Sequence, residues 1–177
     1  EQLLGAPDTK RRNQHHPNYC GACWSFAVTT SLSIRMRIAN GDVSPEIDLA
    51  PQVLLNCNDD NNGCHGGDPG KAHEWIKKNG IPDETCQRYE ANGHDTGRQC
   101  NAIDQCQNCN PETGCFPQTT YKRWTIDEYG SLNGTDSMMS EIHERGPIAC
   151  LIAVTKGLEN WDGNGVFVDT TGTTQHE

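Results

Sequence analysis

An α+β chain of two subdomains laid side by side, helical first and β-rich later, is predicted by three observations. Ten cysteines accompany 18 glycines and 9 prolines in 177 residues of which only 33% are hydrophobic. So small an apolar share leaves a core that disulfides must supplement, and disulfides in that number need an oxidising compartment. Helical apolar patterns fill the first half, while the run PIACLIAV (147–154) late in the chain is typical of a buried strand.

The elements follow in order. Residues 1–22 carry few apolar side chains and no period, which reads as an extended approach. From Cys23 to Ala39, Trp24, Phe26, Ala27, Val28, Leu32, Ile34, Met36 and Ile38 make a helix apolar on most sides, closed by Asn40-Gly41 and expected to be buried. A shorter helix fits LAPQVLLNC (49–57), and a third fits PGKAHEWIKKNG (69–80), with Pro69 early and Gly80 just past the end. Between Cys86 and Cys115 five cysteines stand among Asn, Gln and Gly without hydrophobic period, the composition of a stapled loop region. YKRWTIDEYGSL (121–132) reads as extended, and TDSMMSEIHERG (135–146) as a short helix capped by Asp136 or Thr135. No internal repeat is present.

Charge and length exclude several functions. A net charge of −10 and a pI near 5.0 argue against nucleic acid, which needs clustered Lys and Arg, and Lys10-Arg11-Arg12 does not offset them. No stretch approaches the roughly 20 apolar residues of a membrane-spanning helix, and the first residues lack a signal peptide's apolar segment. On a secretory route, a targeting segment is therefore expected to lie outside this sequence. Asn133-Gly134-Thr135 is an N-glycosylation acceptor that fits such a route.

The stretch NQHHPNYCGACWSFA (13–27) carries the chemistry. Zinc would take Cys20 and Cys23 together with Cys106 and Cys109, but the remaining cysteines and the secreted-type composition weigh against it. A thioredoxin-like redox pair needs a βαβ setting that the pattern lacks. A third reading gives Cys20 to a disulfide and Cys23 to the first turn of the helix, where free N–H groups and the positive end of the dipole favour a thiolate nucleophile. The bland alternative pairs all ten cysteines.

CGACWSFA (20–27) resembles the signature around the catalytic cysteine of papain-like cysteine proteases. Gln14 upstream, LLNC (54–57), GCHGG (63–67), GP (146–147) and NWDGNGVF (160–167) before a late histidine follow that family's order. The segment from Gln14 to Cys23, with its inserted HHPNY, also resembles the cathepsin X (cathepsin Z) carboxypeptidase branch, as do GIPDETC (80–86), DQCQNC (104–109), DEYGSL (127–132) and MMSEI (138–142).

The resemblance implies an α+β, papain-like two-subdomain fold across residues 1–177. Residues 12–115 would form the helical, disulfide-rich subdomain with its central helix, and residues 116–177 the start of a β-rich one. The chain would then be C-terminally incomplete, since the family's Asn-Ser-Trp-Gly stretch is not within it. By the same resemblance Cys23 is the nucleophile, His176 its base, and Gln14 the oxyanion-hole amide. Gly66 and Gly67 receive substrate backbone, and His15, with Tyr19 as a second donor, binds the free carboxylate of a substrate's last residue. His16 stands where the branch has an apolar residue, so either histidine could take that role. The implied disulfides are Cys20–Cys64, Cys57–Cys100, Cys86–Cys106 and Cys109–Cys115, with the partner of Cys150 further along the chain.

The expectation is a lysosomal or secreted, monomeric cysteine carboxypeptidase. It takes peptide or protein substrates, removes single C-terminal residues, and uses no cofactor or metal. Two alternatives stay open, a papain-like endopeptidase and a noncatalytic disulfide-stapled binding module.

Overall fold

The computed structural model describes residues 12–41 and 46–172. Helix α1, Cys23–Ala39, is its axis, and Gly41 with φ of 68° turns the chain away behind Asn40. One side of α1 is fully buried through Trp24, Val28 and Thr29, but Ile38 is exposed and Phe26, Ile34 and Met36 are only half-buried. The expected all-round burial therefore holds for one face only.

Helix α2, Pro51–Cys57, packs on that face and is buried at every position. Proline opens it because the first helical residue has no intrahelical N–H bond to lose. Its polar residues are committed: Gln52 donates to Asn92 O at 2.6 Å and accepts from Glu90 N–H at 2.8 Å, and Asn56 donates to Asp104 O at 2.9 Å. These bonds hang the segments around residues 90 and 104 on the core without leaving the buried amides unmatched.

Helix α3, Pro69–Asn79, is capped by Asp68, whose carboxylate accepts from Lys71 N–H at 3.1 Å. It ends at Gly80 with φ of 70°, and Ala72 and Ile76 turn into the core. Leu49, Val53, Leu54, Leu55, Ile81 and Ala91 complete that core around Trp24 and Val28.

Four disulfides fasten this half, Cys20–Cys64, Cys57–Cys100, Cys86–Cys106 and Cys109–Cys115, the pairing that the resemblance implies. Cys20, Cys106 and Cys109 are thus not available as zinc thiolates. The expected loop region between Cys86 and Cys115 is more ordered than its composition suggests. A short 3-10 turn spans His94–Thr96, and helix α4 spans Ala102–Gln105. Strands β1, Gln107–Asn110, and β2, Gly114–Pro117, then form an antiparallel hairpin in which Cys109 faces Cys115. The hairpin is nearly all exposed, so it shows no apolar alternation, and a crosslink does what burial does elsewhere.

Beyond residue 118 the order changes. Trp124 forms an antiparallel bridge with Ile81, the one paired point of the segment read as extended. Helix α5, Thr135–Arg145, forms as expected, but its cap does not: Gly134 occupies the capping position and Thr135 is the first helical residue. Ser137 instead donates its hydroxyl to Asn133 O at 3.0 Å. A short helix α6 spans Lys156–Glu159.

The run 147–154 is not a strand, and Leu151 and Ile152 are about half exposed, at 52% and 54%. A strand needs a neighbour for its backbone groups, and among the described residues no sheet edge reaches this segment. No strand lies between residues 118 and 172, so the expected β-rich character of this part is absent from the described residues. What fastens it is Arg35 of α1, whose guanidinium donates to Pro147 O at 2.7 Å and Gly146 O at 3.2 Å and pairs with Glu141 at 2.8 Å. An apolar cleft of about 430 Å³ lies alongside, between Phe26, Ala27, Thr30 and Ile34 of α1 and residues 147–150.

Candidate active site

Cys23 is the first residue of α1 and is exposed and unpaired. Its side chain sits where the first-turn N–H groups lack intrahelical partners and the helix dipole is positive. Three residues earlier Cys20 is fully buried and locked to Cys64. The two cysteines of the CxxC stretch therefore have separate environments, one structural and one open to reagents.

The seat of Cys23 is tied down from three directions. Gly21 N–H donates to Cys64 O at 2.7 Å, an approach that a side chain on Gly21 would obstruct, since a Cβ there would lie 2.9 Å from that oxygen. Trp24, the next residue, is buried and its indole N–H donates to Gly63 O at 3.0 Å. Ser25, also buried, donates its hydroxyl to Ala22 O at 2.9 Å.

The approach segment lies across the start of α1. Gln14 is half-buried, with Oε1 enclosed and without a hydrogen-bond partner among the described residues. Its backbone carbonyl accepts from the Tyr89 hydroxyl at 2.6 Å. Burial pushes the Tyr89 phenol up to about 12, so that hydroxyl remains a donor throughout the range in which proteins fold. Tyr89 also meets Phe26 of α1 edge-on at 4.7 Å. Tyr89 was not foreseen from the sequence, because a contact spanning 75 residues leaves no local pattern.

His15 is exposed, stacked flat on Tyr19 with ring centroids 4.5 Å apart, and accepts from Cys20 N–H through Nδ1 at 3.3 Å. Its Nε2 lies 3.5 Å from Gln14 Nε2. His16 precedes Pro17 on the same exposed turn and enters none of these contacts. The structure thus brings Gln14, His15 and Tyr19 together on the segment that leads into Cys23.

Gly66 and Gly67 lie across the Cys20–Cys64 disulfide. Gly66 has φ of 95°, and a Cβ placed there would meet nothing within 4 Å, so open space begins at this residue. Gly67 is the opposite: a Cβ would come within 2.7 Å of Trp24 Cδ2. Asn133 is exposed just before α5. Cys150 is exposed and unpaired among the described residues. His176 lies outside the described residues. No group of three or more metal-binding side chains occurs among the described residues.

The sequence comparisons identify the family. The profile of the papain family cysteine proteases matches residues 7–177, and the chain belongs to that family. Cathepsin Z of Onchocerca volvulus is 36% identical over 160 residues, covering 90% of this chain and 50% of the relative. Cathepsin B of Dictyostelium discoideum is 28% identical, covering 86% of this chain and 49% of the relative. The chain thus spans about half the length of these relatives. Among solved structures, the Carica candamarcensis cysteine protease CMS1MS2 in complex with E-64 is 33% identical with a TM-score of 0.42, covering 51% of this chain and 38% of that one.

Proposed function

We propose that the protein is a cysteine carboxypeptidase of cathepsin X type, removing single C-terminal residues from peptides. The observation that carries this reading is the exposed, unpaired Cys23 at the start of α1, with the His15–Tyr19 stack on the segment leading into it. The Cys23 thiolate attacks the scissile carbonyl, the C–N bond breaks, and water hydrolyses the thioester. His176 takes the base role, delivering the proton to the departing amine. The Gln14 amide and the Cys23 backbone N–H stabilise the oxyanion, each such donor contributing about 2.7–4 kcal/mol in a transition state.

His15 and Tyr19 receive the free carboxylate, and Gly66 offers the open surface along which substrate backbone lies. The four disulfides support a lysosomal or secreted setting, with Asn133 as a glycan site. We take residues 12–115 as the helical subdomain and 116–177 as the start of the second, in a monomer acting without a cofactor.

Paired free-acid and amidated peptides test the reading in the full-length protein. Cys23-dependent cleavage of the acids, with His15→Ala lowering kcat/KM on acids and hardly affecting amides, is expected. A parallel His16→Ala variant shows which histidine acts. Equal cleavage of acids and amides at pH 5 leaves an endopeptidase instead. Failure of Cys23 to react with an epoxide or vinyl-sulfone inhibitor leaves a binding module.

A further inference from the structure

In an Asn-Gly pair the asparagine side chain is open to attack by its own backbone, because glycine has no side chain to shield its nitrogen. The chain holds six such pairs, at Asn40, Asn62, Asn79, Asn92, Asn133 and Asn164. Cyclisation needs a free side-chain amide, a free glycine N–H and a peptide able to turn, and the fold withholds at least one of these at five of the six. Gly41, Gly80 and Gly93 have committed N–H groups, to Ile38 O at 3.0 Å, Ile76 O at 2.8 Å and Thr96 Oγ1 at 2.8 Å. At Asn164 the side-chain amide is held, donating to Asp162 Oδ2 at 3.0 Å. Asn62 is fastened at both backbone groups, its N–H donating to Gly66 O at 3.0 Å and its carbonyl accepting from His65 N–H at 2.9 Å, and Gly63 is buried against the Asp95 carboxylate.

Asn133-Gly134 is the exception. Both residues are exposed, a Cβ on Gly134 would meet nothing within 4 Å, and neither the Asn133 amide nor the Gly134 N–H has a hydrogen-bond partner among the described residues. The carbonyl of the same peptide unit is engaged: Ser137, in the first turn of α5, donates its hydroxyl to Asn133 O at 3.0 Å. A donor on that oxygen draws electron density from the adjoining nitrogen and stabilises the anion left when Gly134 N–H loses its proton. Free first-turn N–H groups and the positive end of the 11-residue helix lie beside the same peptide and act in the same direction.

We propose that Asn133 is a site of spontaneous succinimide formation, so that the amide which accepts a glycan is otherwise consumed by its own backbone. Gly134 N gives its proton to solvent base and attacks Asn133 Cγ. A bond forms between these atoms, the bond from Cγ to Nδ2 breaks, and Nδ2 takes up a proton and leaves as ammonia. Water then opens the cyclic imide at either carbonyl, giving aspartate or isoaspartate at position 133, with no oxidant or reductant involved. The acceptor nitrogen is lost, and a negative charge is added to a chain already at −10. Because the nucleophile is the deprotonated nitrogen, conversion rises with pH. A glycan on Nδ2 blocks the route, since that nitrogen then has to depart with its sugar attached. The reaction owes nothing to the peptidase reading, and only the glycan comparison rests on Asn133 being a glycan site.

The test uses the full-length protein with Cys23→Ala, which prevents self-digestion, secreted by eukaryotic cells with and without Thr135→Ala. That second substitution removes the acceptor motif and leaves Asn133-Gly134 in place. After incubation at pH 5 and pH 8, peptide mass spectrometry follows the amide-to-acid mass change at all six pairs, and electron-transfer fragmentation separates aspartate from isoaspartate. Position 133 should convert first of the six, faster at pH 8 than at pH 5, and not at all where it carries a glycan. Ser137→Ala should slow conversion there about fivefold, the weight of one hydrogen bond, and leave the other five pairs unchanged, while Ser137→Thr restores it. In urea the six pairs should lose their ranking. Another pair converting as fast in the folded protein, a Ser137→Ala rate equal to or above the parent's, or a ranking that persists in urea overturns the proposal. Absence of a glycan from the parent overturns the glycan reading alone, and position 133 should then convert in the parent as it does in Thr135→Ala.

Discussion

Residues 20–117 and residues 118–172 are built on different principles. The first stretch holds all four disulfides and nearly every fully buried side chain. The second has no residue with a fully buried large side chain, exposes Leu151, Ile152, Val166 and Val168, and meets the first through contacts that include the Ile81–Trp124 bridge, the Arg35 clamp and the half-buried Trp124, Ile126 and Ala149 packed on the core. Rigidity is therefore concentrated in the first stretch, and α5 and the residues after it are attached by the Arg35 hydrogen bonds and a half-buried apolar contact at Ala149.

The sharpest way to break this comparison is at the two cysteines of the CxxC stretch. Cys20→Ser should lower stability by about 2–5 kcal/mol through loss of the Cys20–Cys64 bond, whereas Cys23→Ser should leave the melting curve almost unchanged and abolish covalent labelling. Identical thermal denaturation of the two variants would refute the division of roles.

Core truncation comes next. Leu54→Ala, at a fully buried position, should cost about 2–5 kcal/mol in denaturant unfolding, and Ile152→Ala, half exposed, should stay within about 0.5 kcal/mol. Comparable losses at both sites would show that the second stretch has a core of its own.

The Arg35 clamp gives a smaller and local effect. Arg35→Gln should speed amide exchange in 135–150 and leave α2 protected, as read by mass spectrometry. Glu141, hydrogen-bonded by Arg145 and Arg35, is held down to about 2 from its ordinary 4.5. A carboxyl depressed in the folded state stabilises it fully above 4.5, and that contribution is lost as pH falls through about 2. The Glu141 pair should thus be intact at pH 5, and the difference between parent and Arg35→Gln in α5 exchange should narrow as the pH falls toward 2 but not vanish, since the bonds to Pro147 O and Gly146 O do not titrate. The smallest effect belongs to Asn133→Gln, which should remove the glycan mass increment from protein secreted by eukaryotic cells with a stability change within about 0.5 kcal/mol.

Legibility followed the same division. Helix α1 runs between the residues its apolar pattern indicates, and α2 and α3 differ from expectation by two residues or fewer, because burial there writes the period directly into the sequence. The hairpin 107–117 was hidden, since its strands are exposed and its register is set by Cys109 facing Cys115. The run 147–154 misled for the opposite reason: its apolar residues describe a burial that no element among the described residues supplies. Among the candidate residues, Cys23 and the Gln14–His15–Tyr19 segment stand out in the sequence as local motifs. Tyr89 does not, because it meets a residue 75 positions away.

Trp24, buried and bonded to Gly63 O, also makes the start of α1 optically observable. The chain has four tryptophans, and Trp161 at 38% exposure emits from a far wetter setting. With Trp75, Trp124 and Trp161 replaced by phenylalanine, the remaining emission would come from the residue next to Cys23. Its wavelength would then report, in real time and without substrate, whether reduction of the Cys20–Cys64 bond lets water into the core at the start of α1.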